Sequence, residues 1–243
     1  MMLGVESERA ELALHAPPDS SLKPALLRER LVNPSVTGFS RLTGVSLETV
    51  SASHLQDGRR GRALTPWGMS WIVWSPSSIL RWELDEKAIS ASWISPSEQG
   101  LPVDDAGAQH CVERLLKGSK DPMIPVSVSV FGTPFQHRVW RALLGIPRGS
   151  VTSYGRLANA VGAPGAARAV GAACAANPVA LMIPCHRVVR ESGDLNGYRW
   201  GVQLKGLLLA WEFGMPGFGM QSRQDPAGEN LMGFAVVKTA SAQ

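Results

Sequence analysis

The chain has 243 residues, 44% of them hydrophobic and 18% charged, with a formal net charge of +4; this is room for one large or two small domains with a proper core and excludes a disordered chain. No apolar run approaches the roughly 20 residues of a membrane helix, and the opening MMLGVESERAE carries acids where a signal peptide is basic and then apolar, so a cytoplasmic protein is expected. The three cysteines, Cys111, Cys174 and Cys185, include no CxxC pair, which argues against a disulfide framework and a thiolate zinc site.

In chain order, residues 1–58 read as an N-terminal extension or linker, partly disordered, with one short helix at Ala25–Leu31. Within it, Gly38 to Leu55 fits a strand built on Val45, Leu47 and Val50, or a linker, with a helix-turn-helix fragment as the alternative. From Thr65 to Trp93 the texture is strand-like: MSWIVWS and SSILRWEL are separated by a turn-forming SPSS, and AISASWI follows. Trp71, Trp74, Trp82 and Trp93 lie in these runs and are expected to pack a small sheet against a helix near Ala108–Leu116. VSVSVFG, from Val126, alternates and reads as a closing strand. Residues 59–128 thus form one sheet-and-helix unit.

A helical unit, residues 129–214, follows. Thr133-Pro134-Phe135-Gln136 supplies an N-cap, a proline in the first turn and a glutamine placed for a capping box. Phe135, Val139, Leu143 and Ile146 form that helix's buried stripe. Ser153 caps a second helix through Tyr154–Val161, stopped at Gly162, and Pro164 starts a third that ends at Asn177-Pro178. Two short helices joined by GAPG have the length of a helix-turn-helix. Residues 215–243 are rich in Gly, Ser, Gln and Pro and read as a flexible tail.

Charge separates by region. Between Ser129 and Gly214 there are nine basic residues against three acidic ones, so this unit carries +6 and the remainder −2. Such concentration suits a phosphate-contacting domain. The stretch with the most chemistry is Ile183-Pro184-Cys185-His186-Arg187-Val188. A cysteine is a nucleophile only as thiolate, a minor form at neutral pH, and an adjacent histidine can act as its base, through a water because sequence neighbours point differently. A buried structural cysteine is the alternative. The third helix is unusual in another way. From Gly165 to Ala176 it holds seven alanines and two glycines, a poor core surface but one that lets a backbone approach a groove only about 6 Å wide.

The run FGTPFQHRVWRALLGIPRGSVTSYGRLANAVG, with ARAVGAACAANP, IPCHRVV and GYRWG, resembles the O6-alkylguanine-DNA alkyltransferases, particularly the C-terminal part of bacterial Ada-type proteins. The resemblance is strong from Phe131 to Phe213, faint from Thr65 to Val130 and absent in the tail. It implies an α+β fold: a small ribonuclease-H-like sheet-and-helix domain, then a helical domain containing a helix-turn-helix. It implies Cys185 as alkyl acceptor, His186 as its base through water, and Glu212 as the acid that orients the histidine. Tyr154 would contact the extruded nucleotide and assist guanine as leaving group. Tyr198, Arg199 and Val188 would line the base pocket, so both tyrosines of the chain fall on site positions. Asn177 would bond across to the active-site loop, which Pro184 shapes and Arg187 tethers. The third helix would lie in the minor groove through Ala167, Gly171 and Ala172, with Arg168 replacing the flipped base in the stack.

The resulting expectation is a DNA repair protein that binds duplex DNA, flips out O6-alkylguanine (or O4-alkylthymine) and transfers the alkyl group to Cys185 once per molecule. It would work as a monomer, with no cofactor, no metal and no membrane. The alternatives are a non-catalytic lesion-binding protein, a methylation-responsive regulator and a cysteine hydrolase. Cysteine at position 185 weighs against the first, only Gly38–Leu55 could serve the second, and the third predicts turnover.

Overall fold

A computed structural model describes residues 22–34, 45–50, 55–84, 95–117, 126–215, 223–224 and 230–231. The run AISASWI and most of the tail lie outside the described residues, as does Gly38–Gly44. The architecture is mixed α+β, with one sheet and several helices.

The sheet has five strands in the order β1-β5-β4-β3-β2: β1 Val45–Thr49, β2 Arg59–Thr65, β3 Gly68–Trp74, β4 Ser78–Glu83 and β5 Val126–Val130. β2, β3 and β4 form an antiparallel meander, while β5 runs parallel to both β4 and β1. The strand alternative for Val45–Val50 is therefore the one adopted, and it makes β5 an interior strand rather than the last edge. One face packs Ile72, Trp82, Leu84 and Val128 under helix α3 (Asp105–Lys117), using Ala108 and Val112. Trp71 departs from expectation. It points to the other face, with Val73 and Leu80, because period-2 alternation puts neighbours Trp71 and Ile72 on opposite sides. A short helix α2 (Pro96–Gln99), closed by a capping box between Ser95 and Glu98, precedes α3.

Helix α4 (Pro134–Leu144) starts as its sequence dictates: the Thr133 side chain accepts from Gln136 N and Gln136 returns a bond to Thr133 N. Val139, Leu143 and Ile146 are fully buried. Helix α5 (Tyr154–Ala160) is capped by Ser153, whose Oγ accepts from Arg156 N. Helix α6 spans Ala167–Ala175 and begins later than Pro164, because Gly165 adopts φ +81° and interrupts any helical path from the proline. Helix α7 (Val202–Glu212) buries Leu204 to Ala210.

Two joints tie these parts together. Helix α1 (Pro24–Glu29), which starts one residue and ends two residues before the Ala25–Leu31 expectation, buries Leu27 among Val151, Val189 and Leu209. The segment read as extension or linker thus packs on the helical part, and Leu31 bridges to Val151. Trp82 N donates to Pro178 O (3.0 Å) and Ala180 N to Trp82 O (2.9 Å), so β4 carries the loop that leads to Cys185. In the tail, β8 (Arg223–Gln224) and β9 (Asn230–Leu231) pair antiparallel.

Candidate active site

Cys185, His186 and Arg187 form a single 3-10 turn after Pro184, which continues into β7 (Val188–Val189). β7 pairs in parallel with β6 (Thr152–Ser153), and that pairing sets the cysteine turn beside Tyr154 at the start of α5. Asn177 braces the loop from behind: its Nδ2 donates to Ile183 O (2.8 Å) and its Oδ1 accepts from Val179 N (3.0 Å). Nδ2 also donates to Cys185 Sγ at 3.1 Å.

The thiol is buried. Burial pushes it up to about 11, while the Asn177 bond, the Lys205 ammonium and Arg199 pull the other way. At neutral pH Cys185 therefore rests as a thiol and needs a base. His186 is fully buried, and its Nε2 lies 3.0 Å from Glu212 Oε1. Burial holds the imidazole below its ordinary value, with Glu212 acting in the opposite sense. Burial alone would raise Glu212, but His186 and Arg187 outweigh it and hold the carboxyl at about 2. Arg187 meets that charge with Nε and Nη2, at 2.9 and 2.6 Å, and anchors its Nη1 on Ile146 O.

These facts determine the tautomer. An ionised carboxylate only accepts, so Nε2 carries the proton, and Nδ1 presents a lone pair. Nδ1 has no partner within the protein among the described residues. His186 is thus a neutral base held in one orientation by the Glu212 carboxylate.

Cys185 forms the floor of a cleft of about 580 Å3, within the range of small-molecule sites. One wall is α6, with Ala167, Arg168, Gly171 and Cys174; the other is the segment carrying Arg190, Tyr198 and Arg199, and Tyr154 closes the end. Both tyrosines therefore meet at Cys185, and burial raises both phenols, Tyr154 to about 12. Cys174 shares the cleft, where burial raises its thiol too. Val188, expected in the base pocket, does not line it: it is fully buried in β7, where it pairs with Thr152. Ala172, expected along the groove rather than in the pocket, is exposed on α6.

Two contributors were not anticipated. Glu83, on β4, accepts from Arg199 Nη2 and Trp200 Nε1, both at 2.8 Å, and so fixes the GYRWG wall to the sheet. A lone acid in a strand gives no sequence signal for such a role. Lys205 is the second. It counted towards the positive surface, yet it is fully buried, donating to Val188 O and Leu195 O, and burial pushes its ammonium down to about 8. A single lysine in the apolar run VQLKGLLLAW was the available hint. Arg187 is likewise buried, so the exposed positive charge of this unit reduces to Arg138, Arg141, Arg148, Arg168 and Arg190.

The chain is similar to known proteins. Residues 134–213 match the family model described as 6-O-methylguanine DNA methyltransferase, DNA binding domain. The methylated-DNA–protein-cysteine methyltransferase of Salmonella typhimurium is 58% identical over 156 residues, covering 61% of this chain and 91% of that protein. The protein of the same name from Shigella flexneri is 36% identical over the same shares. The bifunctional transcriptional activator/DNA repair enzyme Ada of Escherichia coli is 48% identical over 118 residues, 48% of this chain but 33% of Ada. The chain thus spans about a third of the length of that relative. The crystal structure of Mycobacterium tuberculosis OGT in complex with DNA is similar at a TM-score of 0.53 and 35% identity, covering 64% of this chain and 93% of that one. The chain belongs to the methylated-DNA–protein-cysteine methyltransferase family.

Proposed function

We propose that this chain repairs DNA by taking the alkyl group of O6-alkylguanine onto Cys185, once per molecule. The observation that carries this reading is a buried Cys185 thiol at the floor of the cleft, held by Asn177 and followed in the same 3-10 turn by His186, a neutral imidazole whose Nδ1 has no partner among the described residues. The Cys185 proton passes through a water to His186 Nδ1. Sulfur then attacks the alkyl carbon, the carbon–O6 bond breaks, and guanine leaves with assistance from the Tyr154 hydroxyl. Carbon–sulfur bond formation leaves a thioether that no neighbouring group can hydrolyse, so the protein is consumed.

The lesion must leave the duplex to reach a buried sulfur, at a cost of a few kcal/mol for unstacking. Arg168, exposed on α6 at the cleft's rim, fills the vacated position in the stack, with Ala167, Gly171 and Ala172 lying along the minor groove. Tyr198 and Arg199 line the base pocket, and Val188 supports it from beneath. The partner is duplex DNA. A reduced, cytoplasmic setting follows from the need for an unpaired Cys185, and all three cysteines are free.

The finer architecture belongs to the same proposal. The meander β2–β3–β4, the helix α3 and the parallel return of β5 support a ribonuclease-H-like unit over residues 59–128, augmented by β1. Helices α5 and α6, joined through Gly162–Gly165, support a helix-turn-helix within a DNA-binding and active-site unit over 129–214. The transcriptional role in the name Ada forms no part of the proposal.

Mass spectrometry after incubation with a duplex bearing O6-methylguanine tests it. One methyl per molecule should appear on the Cys185 peptide. Cys185→Ser should abolish the gain yet still bind the duplex. A methyl on another peptide, none at all, or continued turnover overturns the assignment.

A further inference from the structure

Beside the cleft lies a second hollow of about 460 Å3, and the two share only Tyr154, Ala167 and Arg190 in their walls. Arg190 therefore stands at the lip between them. Its side chain is exposed, and the guanidinium makes no hydrogen bond or ion pair among the described residues. The neighbouring acids are already engaged. Glu191 is held by Arg156 through Nη2 at 2.7 Å and Nε at 3.1 Å, and Asp194 accepts from Ser192 Oγ. The charge of the second hollow thus balances at Arg156–Glu191 and leaves Arg190 as its surplus.

The backbone beneath Arg190 is held firmly. Arg190 N donates to Asp194 O (2.8 Å) and Gly193 N to Arg190 O (2.9 Å), closing a turn. Gly193 has φ +89°, and a Cβ there would lie 2.1 Å from Pro24 O, so the turn is seated directly on α1. A fixed stem with an uncommitted guanidinium at its tip is what phosphate recognition uses.

We infer that Arg190 grips the phosphate adjoining the extruded nucleotide, an inference that rests on the proposed function. A base whose reacting edge meets Cys185 leaves its sugar at the mouth of the cleft and its phosphate in the adjoining hollow. Arg168 is occupied in the stack, which leaves Arg190 as the cation shared by both spaces. Because the phosphate reaches this hollow only after extrusion, the contact favours the flipped state over the stacked one.

The test measures Arg190→Ala and Arg190→Lys binding to two duplexes, one bearing O6-methylguanine and one undamaged, across a salt series, with thermal melting as a control for folding. On the lesion duplex the alanine variant should bind about tenfold more weakly at low salt, and the slope of log affinity against log salt should shrink by about one. On the undamaged duplex the change should be clearly smaller, and lysine should restore most of the slope. An unchanged slope, or an equal change on both duplexes, overturns the inference. Methyl transfer by the unaltered protein is scored separately: if Cys185 of the wild type takes no methyl, the proposed function fails whatever Arg190 does.

Discussion

Cys185 is a thiol at rest, because burial pushes its titration up to about 11, and in the proposed reaction its reactivity depends on the neutral imidazole of His186. General acid–base help of this kind is worth about 10²–10⁴ in rate, so His186→Ala should slow transfer to that extent in single-turnover assays. A rate within a few-fold of wild type would remove the imidazole from the reaction. The role proposed for Arg168 belongs to a different step. If it replaces the flipped base, Arg168→Ala should reduce repair of duplex DNA much more than transfer from the free alkylated base. Equal losses on the two substrates would contradict its place in the stack.

Among the elements, α1 shows how a short helix gains its stability from docking rather than from propensity, since six residues are too few to hold a helix alone. Leu27 is its anchor, fully buried against Val151, Val189 and Leu209. Leu27→Ala should cost about 2–5 kcal/mol in urea unfolding. A loss below about 1 kcal/mol would mean that α1 does not dock as described. Helix α6 is built on the reverse principle. Its small residues bury little on the outside, but Val170, Ala173 and Cys174 face inward, and Trp140 Nε1 donates to Ala173 O at 2.9 Å. The helix is therefore fixed from within while its outer face stays thin.

Across the whole molecule, the site's buried charges make folding sensitive to acid. Glu212 titrates at about 2 when folded against 4.5 in its ordinary state, so its stabilisation is complete above 4.5 and is lost as the pH falls towards 2. That difference corresponds to on the order of 3 kcal/mol. His186 acts in the same direction. Its folded value is depressed, so below 6.5 the unfolded chain binds a proton that the folded chain refuses. Urea midpoints should fall between about pH 7 and pH 3, most steeply below 4.5. A flat profile over that interval would show that the His186–Glu212–Arg187 cluster is not closed as described. The same cluster joins α7 to the cysteine turn, and Glu83 joins the sheet to the opposite wall, so loss of either should be felt as loosening of the cleft.

Local signals in the chain were enough for the helix starts at Thr133 and Ser153, the strands around Trp71 and Trp82, and the cysteine motif, because capping, alternation and a fixed loop are short-range properties. The resemblance to the alkyltransferases, not any local signal, proposed Tyr154, Asn177, Tyr198 and Glu212 for the candidate site, and the fold brings Tyr154 and Tyr198 to the cleft with Cys185, Asn177 to its sulfur and Glu212 to His186. Burial and pairing were decided by tertiary contacts alone. Lys205 counts as surface charge in the sequence, and only the packing of α7 against the cysteine turn takes it inside, along with Arg187. Glu83 is one acid in a strand until β4 meets Arg199 and Trp200. The left-handed Gly165 delays α6 beyond Pro164, and the exposure of Arg190 at a lip shared by two hollows exists only once residues distant in sequence close around it. Sequence determined which groups could react; long-range packing decided which are buried, which are charged and which remain open to solvent.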